Sequence, residues 1–257
     1  MIDEIDEAID WRGEAVACAP CAHHELLAEG GCRLRHACVH DRYARRIDRF
    51  FNWNRDLANS YLKHPHFEVR AIAAKSADVF RLPPLLDDDE ETVRWNAVIR
   101  LPYRYLMRLR TDPHREVRIR VATRLNACDL SDMIDDADYY VRLVVARRIG
   151  TGHLLQMIDD PETQVRIVVA QRIDEAYLTP LIHDADPMVR LEASHRLSGD
   201  RLLTLRDDVD WRVRYEVALR VDLAALCSLT DDADPMVREI IRDRTGGAAP
   251  VVEEIAR

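Results

Sequence analysis

Apolar residues return along this chain with a fixed period of 24 positions, and each period carries a Val-Arg pair. The pairs are Val69-Arg70, Val93-Arg94, Val117-Arg118, Val141-Arg142, Val165-Arg166, Val189-Arg190, Val213-Arg214 and Val237-Arg238. A period of this size marks a solenoid, whose units bury their apolar faces only against their neighbours. With each Val as position zero, a Leu stands eleven residues earlier in seven repeats, from Leu82 to Leu226. Another apolar residue follows three later, from Leu85 to Leu229. Position +4 is always apolar, +5 is usually Ala, and +7 is a second Arg in seven repeats.

The apolar residues at 0, +4, +5 and +8 fall on one arc at about 100° per residue, which predicts an α-helix of roughly three turns in the second half of each repeat. Asp186-Pro187 and Asp234-Pro235 suit its N-cap and first turn. In Asp112-Pro113 and Asp160-Pro161 the proline comes two residues sooner, which predicts a shifted helix start there. The first half of the repeat is too short for a matching helix. Its Leu-x-x-Leu spacing suits a single 3₁₀ turn, where i and i+3 eclipse. No run alternates with period two, so strands are not expected. The expected fold class is all-α, a solenoid of about eight 24-residue repeats.

The Arg of each pair lies on the buried arc of the wheel, where an unpaired charge is costly. An Asp stands five residues before the Val in seven repeats, from Asp88 to Asp232, with His64 in the first. These observations predict an Arg–Asp ladder rather than an arginine stripe for phosphate. The surface that meets a partner then belongs to the variable positions between the landmarks.

The chain has 46 acidic against 37 basic residues, a net charge of −9, which argues against general nucleic-acid binding. No apolar run has the length of a membrane span. The acidic N-terminus lacks the basic and apolar regions of a secretion signal, so a cytoplasmic location is expected. Three segments are read: 1–57, 58–245 as the repeat array, and a tail, 246–257, that looks like a flexible exit.

Segment 1–57 holds four of the six cysteines, Cys18, Cys21, Cys32 and Cys38, spaced C-x₂-C-x₁₀-C-x₅-C. In a reducing compartment such a set points to a metal rather than to disulfides. Gly30-Gly31, just before Cys32, lets the backbone fold tightly toward a bound ion or cluster. Four thiolates suit zinc or an iron–sulfur cluster, and spacing alone leaves the two even. His23, His24, His36 and His40 are possible substitutes for a Cys at zinc. Cys128 and Cys227 read as small buried hydrophobes.

The 24-residue repeat with its Leu-x-x-Leu, Asp, Val-Arg and Arg-Leu landmarks, preceded by the four-cysteine segment, resembles the leucine-rich repeat variant family. The resemblance covers nearly the whole chain. It implies a right-handed superhelix of alternating α and 3₁₀ helices. It also implies a 4Fe–4S cluster held by Cys18, Cys21, Cys32 and Cys38, which sets iron–sulfur above zinc. It implies no substrate or reaction.

In the stretch after the cysteines, Arg42, Arg45, Arg46 and Arg49 would share one face of a helix. They would offset thiolate charge or guide an acidic redox partner, but a solvated face paired with Asp41 and Asp48 is the favoured reading. Phe50, Phe51 and Trp53 are expected to dock this segment onto the first repeat.

Three functions compete. The leading one is a protein-interaction scaffold carrying a redox or sensing 4Fe–4S module, its protein partner unknown. The others are a nucleic-acid-binding repeat protein and an electron-transfer protein. No nucleotide-binding glycine motif or nucleophile–base constellation points to an enzyme.

Overall fold

The computed structural model describes residues 7–246, apart from the side chains of Cys227 and Ser228. The expected flexible tail beyond Gly246, the first six residues and the burial expected of Cys227 therefore lie outside the described part. The chain divides into two compact units, 1–126 and 127–257. Among the described residues there is no β-strand, only isolated bridges at Ile9–Ala15 and Arg33–Ala37.

In the first unit, α1 (His24–Ala28) and α2 (Ala44–Trp53) precede the repeat helices α3 (Phe67–Ala74), α4 (Glu91–Arg100) and α5 (Arg115–Arg124). Here α2 packs on α3, α3 on α4 and α4 on α5. The second unit holds α6 (Tyr139–Arg148), α7 (Thr163–Arg172), α8 (Pro187–Arg196), the short α9 (Gly199–Leu203), α10 (Trp211–Arg220) and α11 (Pro235–Arg244). There the long helices again pack neighbour on neighbour. Short 3₁₀ turns fill the first half of the repeats, as the Leu-x-x-Leu spacing predicts, except where α9 replaces them.

The core is the predicted set. Every Val of the Val-Arg pairs is buried, and so are the +4 residues and the two apolar landmarks of each 3₁₀ segment. One expectation fails. The helices that follow Pro113 and Pro161 start at Arg115 and Thr163, two residues before the Val, as α8 does at Pro187. Their N-cap backbones have nearly the same ψ, 126°, 121° and 123°. The start is set by side chains that seven of the eight repeats share, not by proline. The Asp at −5 accepts the N–H of the N-cap residue, as Asp112 does from His114 at 2.8 Å and Asp184 from Asp186 at 2.8 Å. The paired Arg closes the same turn by donating to its carbonyls, as Arg94 does to Asp88 and Asp89 at 2.8 and 3.0 Å.

The Arg–Asp ladder is present in both units, and its direction is forward, from one repeat to the next. Arg70 meets Asp88 and Arg94 meets Asp112 in the first unit. In the second, Arg142, Arg166, Arg190 and Arg214 meet Asp160, Asp184, Asp208 and Asp232. Each contact is bidentate, the geometry that makes Arg–carboxylate pairs strong.

A second arginine system runs backward. Arg100 donates to the Ala74 and Ala77 carbonyls at the end of α3, at 2.7 and 2.5 Å. Arg196, Arg220 and Arg244 do the same to the preceding helix in the second unit. These carbonyls belong to a helix C-terminus, which has no internal donors and carries partial negative charge.

Candidate metal centre

The cysteines sit on three small devices built by local sequence. Cys18-Ala-Pro-Cys21 forms a turn in which the Cys21 N–H donates to the Cys18 carbonyl at 3.2 Å. The His23 N–H then points at the Cys21 sulfur, 3.4 Å away. Helix α1 follows, and two residues past its end Gly30 takes a left-handed φ of +77°. Gly31 and Cys32 both return their N–H groups to the Leu26 carbonyl, which closes the helix end and places Cys32. A Cβ on Gly31 would stand 3.2 Å from both Asn54 Oδ1 and Leu26 Cδ2, so the tight fold expected of Gly30-Gly31 has a steric basis. Asn54 fixes the turn by donating to the Gly31 carbonyl at 2.7 Å.

Cys38 is held differently. Arg33 and Ala37 form an isolated bridge whose turn contains Arg35 at φ +64°. The Cys38 N–H donates to the Arg46 carbonyl of α2 at 3.1 Å. Ala37 and Val39, on either side, are fully buried.

All four thiols are free and half-buried. Burial raises the Cys32 thiol above its ordinary range, and the charges of Cys21 and Cys18 raise it further. Burial pushes Cys38 up to about 11, with Asp41 and Cys21 adding to the rise. Cys21 thus lies within electrostatic reach of both Cys32 and Cys38.

Among the described residues, no three His, Cys, Asp or Glu side chains converge on a single metal ion. A multi-iron cluster takes each thiolate at a separate iron, so its ligands need not crowd one point. An all-thiol donor set, with Cys21 near both Cys32 and Cys38, fits a cationic iron core.

Of the histidines, His24 is exposed, while His23, His36 and His40 lie against other rings. The His23 ring hydrogen-bonds the Tyr61 hydroxyl and lies against Phe50. Burial lowers the pKa of His23, and burial with His23 and His64 as neighbours lowers that of His40. The His36 ring lies tilted against Trp53, with ring centroids 5.6 Å apart.

Tyr61 went unnoticed in the sequence. It lies in the 3₁₀ turn Arg55–Tyr61, packs on Phe51 and His64, and is pushed up to about 12 by burial and by Cys21 and Cys38. Nothing in its spacing sets it apart from an ordinary aromatic of the first repeat.

Three expectations need correction. Phe50 and Phe51 are buried, but Trp53 is 47% exposed and does not dock. Helix α2 begins at Ala44, so Arg42 precedes it, and Arg46 turns inward to Asp41 at 2.8 Å. Asp48, offered as the other partner, pairs with Lys75 at 3.0 Å. Cys128 is exposed, its thiol 3.2 Å from the Asp129 carboxylate, because the 3₁₀ turn Ala127–Asp129 presents it outward.

A stack of α/3₁₀ repeats led by a four-cysteine segment defines a helical repeat protein with a metal-binding N-terminal part. Residues 8–60 match the family model described as the FeS4 cluster of the LRV protein. A solved leucine-rich repeat variant, described as having a novel repetitive structural motif, superposes with a TM-score of 0.85. It is 41% identical, and the match covers 89% of this chain and 98% of that one. The chain belongs to the leucine-rich repeat variant family and is an iron–sulfur repeat protein of the solenoid class. It is also 51% identical over 96 residues to an uncharacterized 27.7 kDa protein in the nifB 3′ region of Rhodobacter capsulatus. That match spans 37% of this chain and 39% of that relative. Among the described residues, no helix is long and apolar enough to cross a membrane.

Proposed function

We propose that this chain is a protein-interaction scaffold carrying a redox or sensing 4Fe–4S module, with Cys18, Cys21, Cys32 and Cys38 as its ligands. The four cysteines within 21 residues and the match of residues 8–60 to the FeS4 cluster model support the ligand set most directly. When bound, the cluster supplies electron transfer at a potential set by its surroundings. The chain's own groups supply those surroundings. The His23 N–H donates toward the Cys21 sulfur, and such bonds stabilise the charged form of a sulfur ligand. The Arg46 carbonyl fixes the backbone of Cys38. Phe50, Phe51 and Tyr61 wall the segment on the side of the first repeat and limit water.

The array offers one partner surface. Tyr139, Tyr177, Trp211 and Met236 of the second unit are exposed, and aromatic and Met side chains are favoured contact residues at protein interfaces. Nucleic acid fits less well, since the recurrent arginines are committed to aspartates and carbonyls.

Anaerobic purification followed by iron and acid-labile sulfide assays tests the cofactor. Four iron and four sulfide per chain are expected for this cluster type. A colourless protein with stoichiometric zinc overturns the reading.

A further inference from the structure

A basic segment of this acidic chain lies beside the cysteines. Residues 33–49 carry six arginines against two aspartates, while the whole chain has a net charge of −9. Both aspartates are taken: Asp41 by Arg46 at 2.8 Å and Asp48 by Lys75 at 3.0 Å. Arg35, Arg45 and Arg49 are exposed, and among the described residues no ion pair joins any of them to a carboxylate. Arg49 hydrogen-bonds the His36 ring and carbonyl, at 3.3 and 3.4 Å. Arg35, Arg42, Arg45, Arg46 and Arg49 line one open cavity of about 700 Å³, with Glu68 the single acidic residue in its wall.

The arrangement is costly to the fold. Arg45 and Arg49 stand i,i+4 on α2, where like charges repel. Arg45 and Arg46 occupy the first turn of α2, which holds no acid, against the sign that a helix N-terminus favours. Arg35 holds a left-handed φ of +64° that glycine would take without strain. Trp53 continues the Arg45–Arg49 row by one more turn and is nearly half exposed. Arginine and tryptophan are the residue types that most often dominate binding energy at protein interfaces.

We propose that the Arg35, Arg45, Arg49 and Trp53 face is the docking site for an acidic face of a redox partner protein. Two features set the partner's chemistry. An acidic partner is repelled by most of this chain and attracted here, so the patch orients the encounter. The Arg46 carbonyl of the helix that carries the patch accepts the Cys38 N–H, so a partner seated on that helix sits beside the thiol segment. The inference rests on the redox reading given above for its purpose, but not for its test.

The test uses the full-length holoprotein and an acidic 2Fe–2S ferredoxin as the probe. Binding is measured by biolayer interferometry across a salt series, with a basic cytochrome c and a short DNA duplex as comparators. Salt-sensitive ferredoxin binding is expected, and Arg45→Glu/Arg49→Glu should slow association by about tenfold at low salt, with the difference shrinking as salt rises. Arg35→Gly relieves backbone strain, so it should fold at least as well by circular dichroism and yet bind ferredoxin more weakly. The proposal is overturned if wild type fails to bind ferredoxin at low salt, if the variants bind like wild type, or if the duplex binds the patch more tightly. Reduction by a small dye, followed by electron paramagnetic resonance, tests the redox reading separately. A cluster that accepts no electron removes that reading while the binding series still decides the docking site.

Discussion

Arg94 reaches eighteen residues forward to clasp Asp112 with two parallel hydrogen bonds of 2.8 and 2.9 Å, and both side chains are almost fully buried. Asp112 also accepts the His114 N–H, and the free Arg94 nitrogen closes the turn of its own repeat. One ion pair thus sets the start of two successive helices and the register between them. Breaking a buried pair on one side is worse than removing it whole. Asp112→Ala should cost about 3–5 kcal/mol in urea unfolding, because the guanidinium stays buried without its carboxylate. The double change Arg94→Met/Asp112→Leu should recover most of that loss. A single variant as stable as wild type would show that the ladder does not hold the stack.

The backward arginines have a different signature. Arg100→Gln removes two charge-assisted bonds to the end of α3 and should cost about 1.5–3 kcal/mol. The loss should be local. Amide exchange should rise first at the last turn of α3, with the amides of α5 less affected.

Acid should loosen the array through its carboxylates. Arg212 draws the Asp210 pKa down to about 2, and Arg214 lowers that of Asp232. A depressed folded pKa means that the folded state binds fewer protons than the unfolded one in this range. The contribution is therefore complete above about pH 4 and is lost as pH falls toward the folded values. Thermal melts should be flat with pH in the neutral range and drop below about pH 4. Asp210→Asn should flatten the drop, and an unchanged profile would remove Asp210 from the account.

The cysteines make a sharper prediction. Serine at Cys18, Cys21, Cys32 or Cys38 should abolish or strongly deplete bound iron, whereas Cys128→Ser should leave it unchanged. Gly31→Ala should also lower iron content, since its new methyl meets Asn54 and Leu26. Iron assays on the purified chains check all of these. Full iron in a Cys38→Ser chain would exclude Cys38 from the set.

Much of the fold was legible because a repeat tests each reading eight times. The burial of Val165, Val169, Leu154 and Met157, and the burial of the paired arginines, followed from periodicity alone. The backward role of Arg196 did not, since its partners are the Ala170 and Ile173 carbonyls and backbone leaves no mark in sequence. The proline offset misled because proline reports where a turn is allowed, while the Asp at −5 and the paired Arg determine where the helix begins. At the candidate site the ligand types were readable from Cys18 to Cys38. Tyr61, Asn54 and the inward turn of Arg46 were not, because they act through contacts distant in sequence.

The forward clasp also makes each repeat directional. A repeat offers an arginine to the one that follows and an aspartate to the one before, as Arg190 meets Asp208 while Asp184 receives Arg166. Removing 24 residues between two such clasps would leave an arginine facing an equivalent aspartate, so no charge would be orphaned. A shorter insertion or deletion inside a repeat would break a clasp and leave a guanidinium without its carboxylate. The array is therefore free to change length only in whole repeats.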